Sequence, residues 1–227
     1  MNGHSFTLQG AALVALPTGA LWWPSEAALA VSDLHLGRSE RYARRGGALL
    51  PPYETQDTLD RLDADIQATG ARTVLCLGDS FDDLAAADAL HETARLWLAR
   101  LMAGRRWLWV EGNHDPGPID LPGSHLAVAR LGPLTFRHIA MPDEIGEISG
   151  HYHPKFTLSA RGHRVTRPCF LIDSARVILP AYGTYTGGLS SADPALLSLI
   201  GRDGIAVLTG APSVAVPLSP QRATTAS

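Results

Sequence analysis

Residues 27–38 read Ala-Ala-Leu-Ala-Val-Ser-Asp-Leu-His-Leu-Gly-Arg. The apolar run from Ala27 to Ser32 stops abruptly at Asp33. This is the pattern of a short buried strand that delivers polar groups at its carboxyl end. The pattern recurs twice. Thr73–Leu77 is apolar and ends in Gly78-Asp79, and Arg106–Glu111 ends in Gly112-Asn113-His114-Asp115. Between these runs Glu54 to Ala68 has helical spacing, with Leu59, Leu62 and Ile66 on one face and Gly70 closing it. Ala85 to Met102 reads as a second helix that turns Leu90, Ala94, Trp97, Leu98 and Leu101 inward and stops at Gly104. Strand–helix–strand–helix–strand predicts an α/β domain with a parallel sheet and helices on its faces. Ligands bind such sheets beyond the carboxyl ends of the strands. The three polar clusters are therefore expected to converge on one crevice.

Outward from this core the signals are shorter. Residues 6–16 read as one strand, followed by a Pro17-Thr18-Gly19 turn and a second strand at Ala20–Trp23. Residues 38–52 contain Gly46, Gly47, Pro51 and Pro52 and read as a long loop. In the second half, β-like runs occur at 125–130, 133–139, 145–150, 164–173 and 176–180. A short helix near Pro194–Ile200 follows, then strands at 205–209 and 213–217. A single domain over 1–218 with a flexible polar tail at 219–227 is the expectation.

Composition narrows the function classes. The chain has 227 residues, 45% of them hydrophobic, and a net charge of −3. That is enough to bury a sizeable core and too apolar for disorder. Two cysteines exclude a disulfide scaffold or a cysteine-rich zinc module. Cys76 and Cys169 both sit in apolar runs and read as buried small hydrophobes. Near-zero charge argues against nucleic-acid binding by bulk attraction, though not against a local patch. No Lys or Arg precedes Arg38, so the apolar N-terminus lacks the positive region of a signal peptide. The apolar stretch up to Pro24 is too short to span a bilayer. A cytoplasmic location with no membrane association is the expectation. Nine histidines are many for such a chain.

Five of those histidines fall in polar clusters: Asp33-x-His35, Asn113-His114, Arg137-His138 and His151-x-His153. Residues two apart on an extended chain point the same way, so each x-spaced pair is expected to grip one centre. Oxygen and imidazole donors without cysteine suit two divalent ions, Mn²⁺ or Fe²⁺, with Zn²⁺ as an option. Gly-x-Ser-x-Gly and P-loop patterns are absent, which removes support for a serine hydrolase or a nucleotide-driven motor.

The order Asp33-x-His35, Gly78-Asp79, Gly112-Asn113-His114-Asp115, His138, Gly150-His151-x-His153 resembles the calcineurin-like metallophosphoesterases. A narrower likeness covers most of the chain. Asp33-Leu34-His35-Leu36-Gly37-Arg38, the Gly-Gly…Leu-Pro-Pro loop, Gly150-His151-Tyr152-His153-Pro154 and Leu179–Leu189 with its Tyr-Gly-Thr-Tyr-Thr-Gly-Gly core resemble the bacterial ligase-associated DNA damage response endonucleases. Many of those relatives carry a histidine shortly after Gly-Asp, where this chain has Ser80-Phe81-Asp82-Asp83.

The resemblance implies a four-layer α/β/β/α sandwich of two packed mixed sheets. It implies a first metal held by Asp33, His35, Asp79 and His153, and a second held by Asp79, Asn113, His138 and His151, with Mn²⁺ the expected ion. A metal-bridging hydroxide would attack the phosphodiester and His114 would protonate the leaving group, with Asp115 either orienting His114 or standing as an exposed loop aspartate. DNA, single-stranded or branched, is the implied substrate. An ATP-dependent DNA ligase, a helicase and an exonuclease-like protein are the implied functional neighbours. Arg38, Arg41, Arg44 and Arg45, beside Tyr42, form a candidate phosphate-backbone surface. A small-molecule phosphoesterase of the same fold and a non-catalytic scaffold are the alternatives. A homodimer paired through the β-rich half is a further option.

Overall fold

A computed structural model describes residues 3–44, 46, 51, 53–117, 120–160 and 163–218. Arg45 and the 219–227 tail lie outside the described residues. The first sheet runs in chain order: β1 (His4–Leu8), β2 (Ala11–Ala15), β3 (Leu21–Trp23), β4 (Ala28–Val31), β5 (Thr73–Leu77), β6 (Arg106–Val110) and β7 (Ser124–Leu126). β1 to β4 pair antiparallel and β4 to β7 parallel. The helices are α1 (Arg38–Arg44), α2 (Glu54–Thr69), α3 (Leu84–Asp88), α4 (Glu92–Met102) and α5 (Pro194–Leu199). The second sheet contains β8 (Ala129–Leu131), β9 (Leu134–Phe136), β10 (Glu147–Ser149), β12 (His163–Ile172), β13 (Arg176–Ile178), β14 (Ile205–Leu208) and β15 (Val214–Pro217). Its order is β15-β14-β12-β13-β10-β9-β8, and β11 (Lys155–Ala160) pairs with β12.

Beyond the first residues of β5 and β6, Thr73 and Arg106, the central strands are apolar throughout because both of their faces are covered. Leu29, Val31, Val74, Cys76, Trp107 and Trp109 pack against α2 and α4. Ala28, Ala30, Leu75, Leu77, Leu108 and Val110 alternate with them and pack against Phe136, Ile148, Phe170 and Val177 of the second sheet. The outer face of that sheet, with Cys169 and Leu171, is covered by Leu196 and Ile200 at α5. The layers are therefore α/β/β/α with two mixed sheets. Helices cover one face of the first sheet, and the second sheet covers the other. Both cysteines are fully buried, and burial pushes both thiols far up.

Several elements differ from the sequence reading, each for a tertiary reason. Residues 6–16 form a hairpin instead of one strand, because Gln9 and Gly10 both take left-handed backbone (φ 47° and 81°) and make the two-residue turn that matches strand twist. Residues 38–44 form α1 rather than loop. No apolar stripe announces that helix: Ser39 N–H and Oγ donate to Glu54 Oε1 at 3.0 and 2.8 Å, and its arginines pair with Asp82 and Asp83, all distant in sequence. The helix expected over 85–102 is two, each with its own cap. Asp83 Oδ1 accepts from Ala86 N–H at 2.7 Å and His91 Nδ1 from Thr93 N–H at 3.3 Å. The run at 125–130 is split between β7 in one sheet and β8 in the other. β11 was not anticipated.

Candidate metal centre

The carboxyl ends of β4, β5 and β6 lie side by side, and the loops that leave them carry the first three polar clusters. Hydrogen bonds sew these loops together. Asp33 N–H donates to Gly78 O at 3.2 Å and His35 N–H to Asp79 O at 2.9 Å. The loops after β9 and β10 bring His138, His151 and His153 from the second sheet, with Gly150 N–H donating to His138 O at 2.9 Å.

The extended-chain account of the paired ligands does not hold. Asp33, His35, Asp79, His151 and His153 all have left-handed backbone, with φ of 55°, 46°, 47°, 70° and 47°. Each x-spaced pair converges through consecutive tight bends. Left-handed backbone costs a non-glycine residue about 1–2 kcal/mol, and such strain gathers where the surrounding structure over-determines a functional geometry. Close approach does the rest. A Cβ on Gly78, whose φ is +79°, would lie 2.4 Å from His138 Nδ1, and one on Gly150 would lie 1.6 Å from Ser32 Oγ. Both glycines let the two sheets' loops touch.

Each carboxylate has one oxygen pinned by backbone and the other turned inward. Asp33 Oδ2 accepts from His151 N–H at 2.9 Å and from Ser32 Oγ at 2.5 Å, while Oδ1 lies 3.1 Å from His153 Nε2. Asp79 Oδ1 accepts from His114 N–H at 2.8 Å, while Oδ2 lies 3.4 Å from His138 Nε2. His138 Nδ1–H donates to Leu77 O at 2.9 Å, which fixes the ring with Nε2 inward. Around Nε2 stand Asn113 Oδ1 at 2.9 Å and His151 Nδ1 at 3.2 Å. Burial raises the pKa of Asp33, but His153, His138 and Ser32 outweigh it and bring the group down to about 2. Burial lowers that of His138, but Asp79 and Asp33 outweigh it and hold the ring up at about 9.

Among the described residues three groups of side chains gather ligand atoms within 4.8 Å of one another: Asp33, His35 and His153; Asp79, His138 and His151; and His35, Asp82 and His114. The first two adjoin through His138 Nδ1, 3.9 Å from Asp33 Oδ1. His35 Nε2 is buried and has no hydrogen-bond partner, as a ligand nitrogen awaiting a cation would be. Inward-facing lone pairs, no lysine and no thiol fit divalent ions of the Mn²⁺, Fe²⁺ or Zn²⁺ kind.

His114 stands at the edge, with its side chain 31% exposed. Its Nδ1–H donates to Asp82 O at 2.9 Å, and Nε2 lies 4.0 Å from Asp79 Oδ2. Asp115 is placed otherwise than expected. It is buried, and its carboxylate accepts from the N–H groups of Asp79, Ser80, Phe81 and Gly112 at 2.8–3.2 Å; it clamps the β5 loop rather than the His114 ring. Burial, with repulsion from Asp79, pushes it up to about 6 against those donors.

The sequence reading missed Asp82 as a site residue. It is fully buried, with Oδ1 3.0 Å from His35 Nδ1 and 3.2 Å from Arg38, and Oδ2 2.8 Å from Arg41. Arg44 pairs with Asp83 at 2.9 Å. The described arginines of the candidate phosphate surface are thus already engaged by acids, with Arg44 the most exposed at 39%. The signal was present in the departure from the relatives' histidine at Ser80–Asp83. The 183–189 turn also borders the centre: Gly183 N–H donates to Asp33 O at 3.0 Å and Leu189 N–H to Tyr152 O at 3.1 Å.

This site and fold define a metal-dependent phosphoesterase. The calcineurin-like phosphoesterase family model matches residues 28–184, and the chain belongs to that family. The crystal structure of the Pseudomonas putida nuclease MPE is similar, with a TM-score of 0.73 and 29% identity, over 95% of this chain and 100% of that one. A search of curated proteins found no match. Among the described residues no helix is long and apolar enough to cross a membrane.

Proposed function

We propose that the protein is a Mn²⁺-dependent DNA endonuclease that acts in DNA repair. The observation that carries the reading is the pair of adjoining carboxylate–histidine clusters, with His114 beside them and outside both of the proposed ligand sets. In this reading Asp33, His35 and His153 hold one ion, Asn113, His138 and His151 the other, and Asp79 is shared. Two such ions, when bound, neutralise a phosphodiester and lower the pKa of the attacking water. His114 gives its Nε2 proton to the leaving oxygen, and Asp82 O keeps the ring turned for that transfer. Asp115 holds the Asp79 loop in register. Arg38, Arg41, Arg44 and Arg45 steer the phosphate backbone, with Arg44 the freest of the three described.

Nuclease activity is supported by the likeness to the Pseudomonas putida nuclease. The repair setting, with an ATP-dependent ligase, a helicase and an exonuclease-like protein as functional neighbours, is supported by the Leu-Gly-Arg and Tyr-Gly-Thr-Tyr-Thr-Gly-Gly segments. The test is cleavage of single-stranded and flapped DNA by the purified protein in Mn²⁺, beside a panel of nucleotide diesters and pyrophosphates. Nicked DNA, abolished by chelation and by Asp79→Ala, is the expected result. Turnover of the small molecules alone would replace the nuclease reading, and full activity in Asp79→Ala would sink the mechanism.

A further inference from the structure

Beside the second cluster lies a cavity of about 320 Å³ that no role above uses. Asn113 and His138, two of the proposed ligands, form one wall. The rest is largely apolar: Pro116, Ala127, Val128 and Ile139. Val128 is 38% and Ile139 44% exposed, so apolar surface faces solvent right next to a highly polar centre.

The Ile139 side of this surface is anchored. The loop from Ile139 to Ile145 is gripped from beneath by buried Arg176, which donates to Met141 O at 2.7 Å, Pro142 O at 2.6 Å and Glu144 O at 3.1 Å. Buried Glu147 pairs with Arg176 at 3.1 Å and accepts from Met141 N–H at 2.9 Å. A loop anchored by four hydrogen bonds that still presents its apolar side chains outward is built for contact.

Charge selects the occupant. The guanidinium in the lining, that of Arg137, is paired with Glu144 at 3.0 Å and Glu147 at 3.1 Å. Glu111 adds a further negative charge to the rim. Away from the wall of metal-ligand candidates the lining offers a phosphate no free guanidinium, and its apolar surface suits a neutral, flat, partly apolar group that also offers hydrogen-bond donors to the Glu111 rim. A nucleobase has that chemistry, and the volume is at the small end of ligand pockets, the scale of one nucleoside.

Resting on the phosphodiesterase reading above, we propose that this cavity receives the base of the nucleotide flanking the scissile phosphate, unstacked against Val128 and Ile139. Bases in a duplex are stacked and paired, and only an unpaired or flipped base can reach such a shelf. The cavity thus selects single-stranded segments over intact duplex.

The test uses the full-length protein, Mn²⁺ and single-stranded oligonucleotides of fixed cleavage position. Each base around the scissile bond is replaced in turn by an abasic residue. Wild type is expected to lose on the order of tenfold in kcat/KM at one flanking position. In Val128→Asp and Ile139→Asp, whose side chains are exposed and whose folding is checked by Tm and bound metal, that position-specific loss is expected to disappear, because the contact is already gone. Abasic penalties that are equal at every position, or unchanged in both variants, would overturn the proposal. Wild type that cleaves bis(4-nitrophenyl) phosphate and no oligonucleotide would overturn the nuclease reading itself, and this proposal with it.

Discussion

Removing the Asp82 carboxylate should loosen both α1 and the first ligand cluster. The side chain is 0% exposed and lies within 3.2 Å of His35, Arg38 and Arg41. Burial raises its pKa, yet His35 and the two arginines more than reverse this and hold it well below the usual carboxylate range. Taking one partner from a buried ion pair costs about 3–5 kcal/mol. Arg38 and Arg41 keep 17% and 19% exposure and can turn to water, so Asp82→Ala belongs at the low end, about 3 kcal/mol. For a chain of this size that is a fall of about 6–12 °C in Tm. His35 also loses the partner that orients its ring, and changes of this kind weaken metal binding about 10–100-fold. Calorimetric titration with Mn²⁺ and a thermal melt of metal-free protein read the two effects separately. Asp82→Asn keeps an acceptor oxygen for His35 and no charge for the arginines, so its Tm should fall while its metal affinity falls less. Wild-type Tm and metal affinity in Asp82→Ala would refute the reasoning. Equal metal affinity in the two variants would show that His35 does not depend on this contact.

Gly78→Ala should cost about 1–2 kcal/mol for its left-handed backbone and about 1–3 more for overlap with the His138 ring; elemental analysis should then find the second ion depleted before the first. Tyr182→Phe removes the 2.8 Å hydrogen bond to buried Asp65 and should destabilise by about 1–3 kcal/mol, read as a lower urea midpoint with unchanged slope. Asp63 links α2 to α4 through Arg100 and Trp97, and Gln67 of α2 donates to it as well. Burial raises its pKa, but those donors win and the net shift is downward. A lowered pKa stabilises the fold above the unfolded value of 3.8 and ceases to as pH falls through the folded value. Urea midpoints of wild type and Asp63→Asn should therefore differ by a constant amount at neutral pH and converge in acid.

The central elements were legible because each carries a local signature. Thr73–Leu77 matched residue for residue, and α2 differed only at its last residue, since uninterrupted apolar strands and a three-to-four-residue stripe are periodic in the sequence itself. The ligand candidates were legible because strand ends place their side chains in one crevice whatever the loop detail. What was missed depends on partners far away in the chain. α1 is held by Glu54, Asp82 and Asp83, so its own composition reads as loop. Asp115 read as a partner of His114, but four backbone donors surround its carboxylate instead.

The sequence by itself determined the α/β core and the residues offered to a metal, because those follow from residue type and spacing. Tertiary structure alone decided how the ligands converge. Five take left-handed backbone that no spacing rule contains, two glycines let loops from different sheets meet, and backbone N–H groups choose which carboxylate oxygen faces inward. It alone also brought Asn113, from the first sheet, against His138 and the Val128 and Ile139 side chains at the open end of the β8–β9 hairpin, since contacts between two packed sheets are set by packing and not by local propensity.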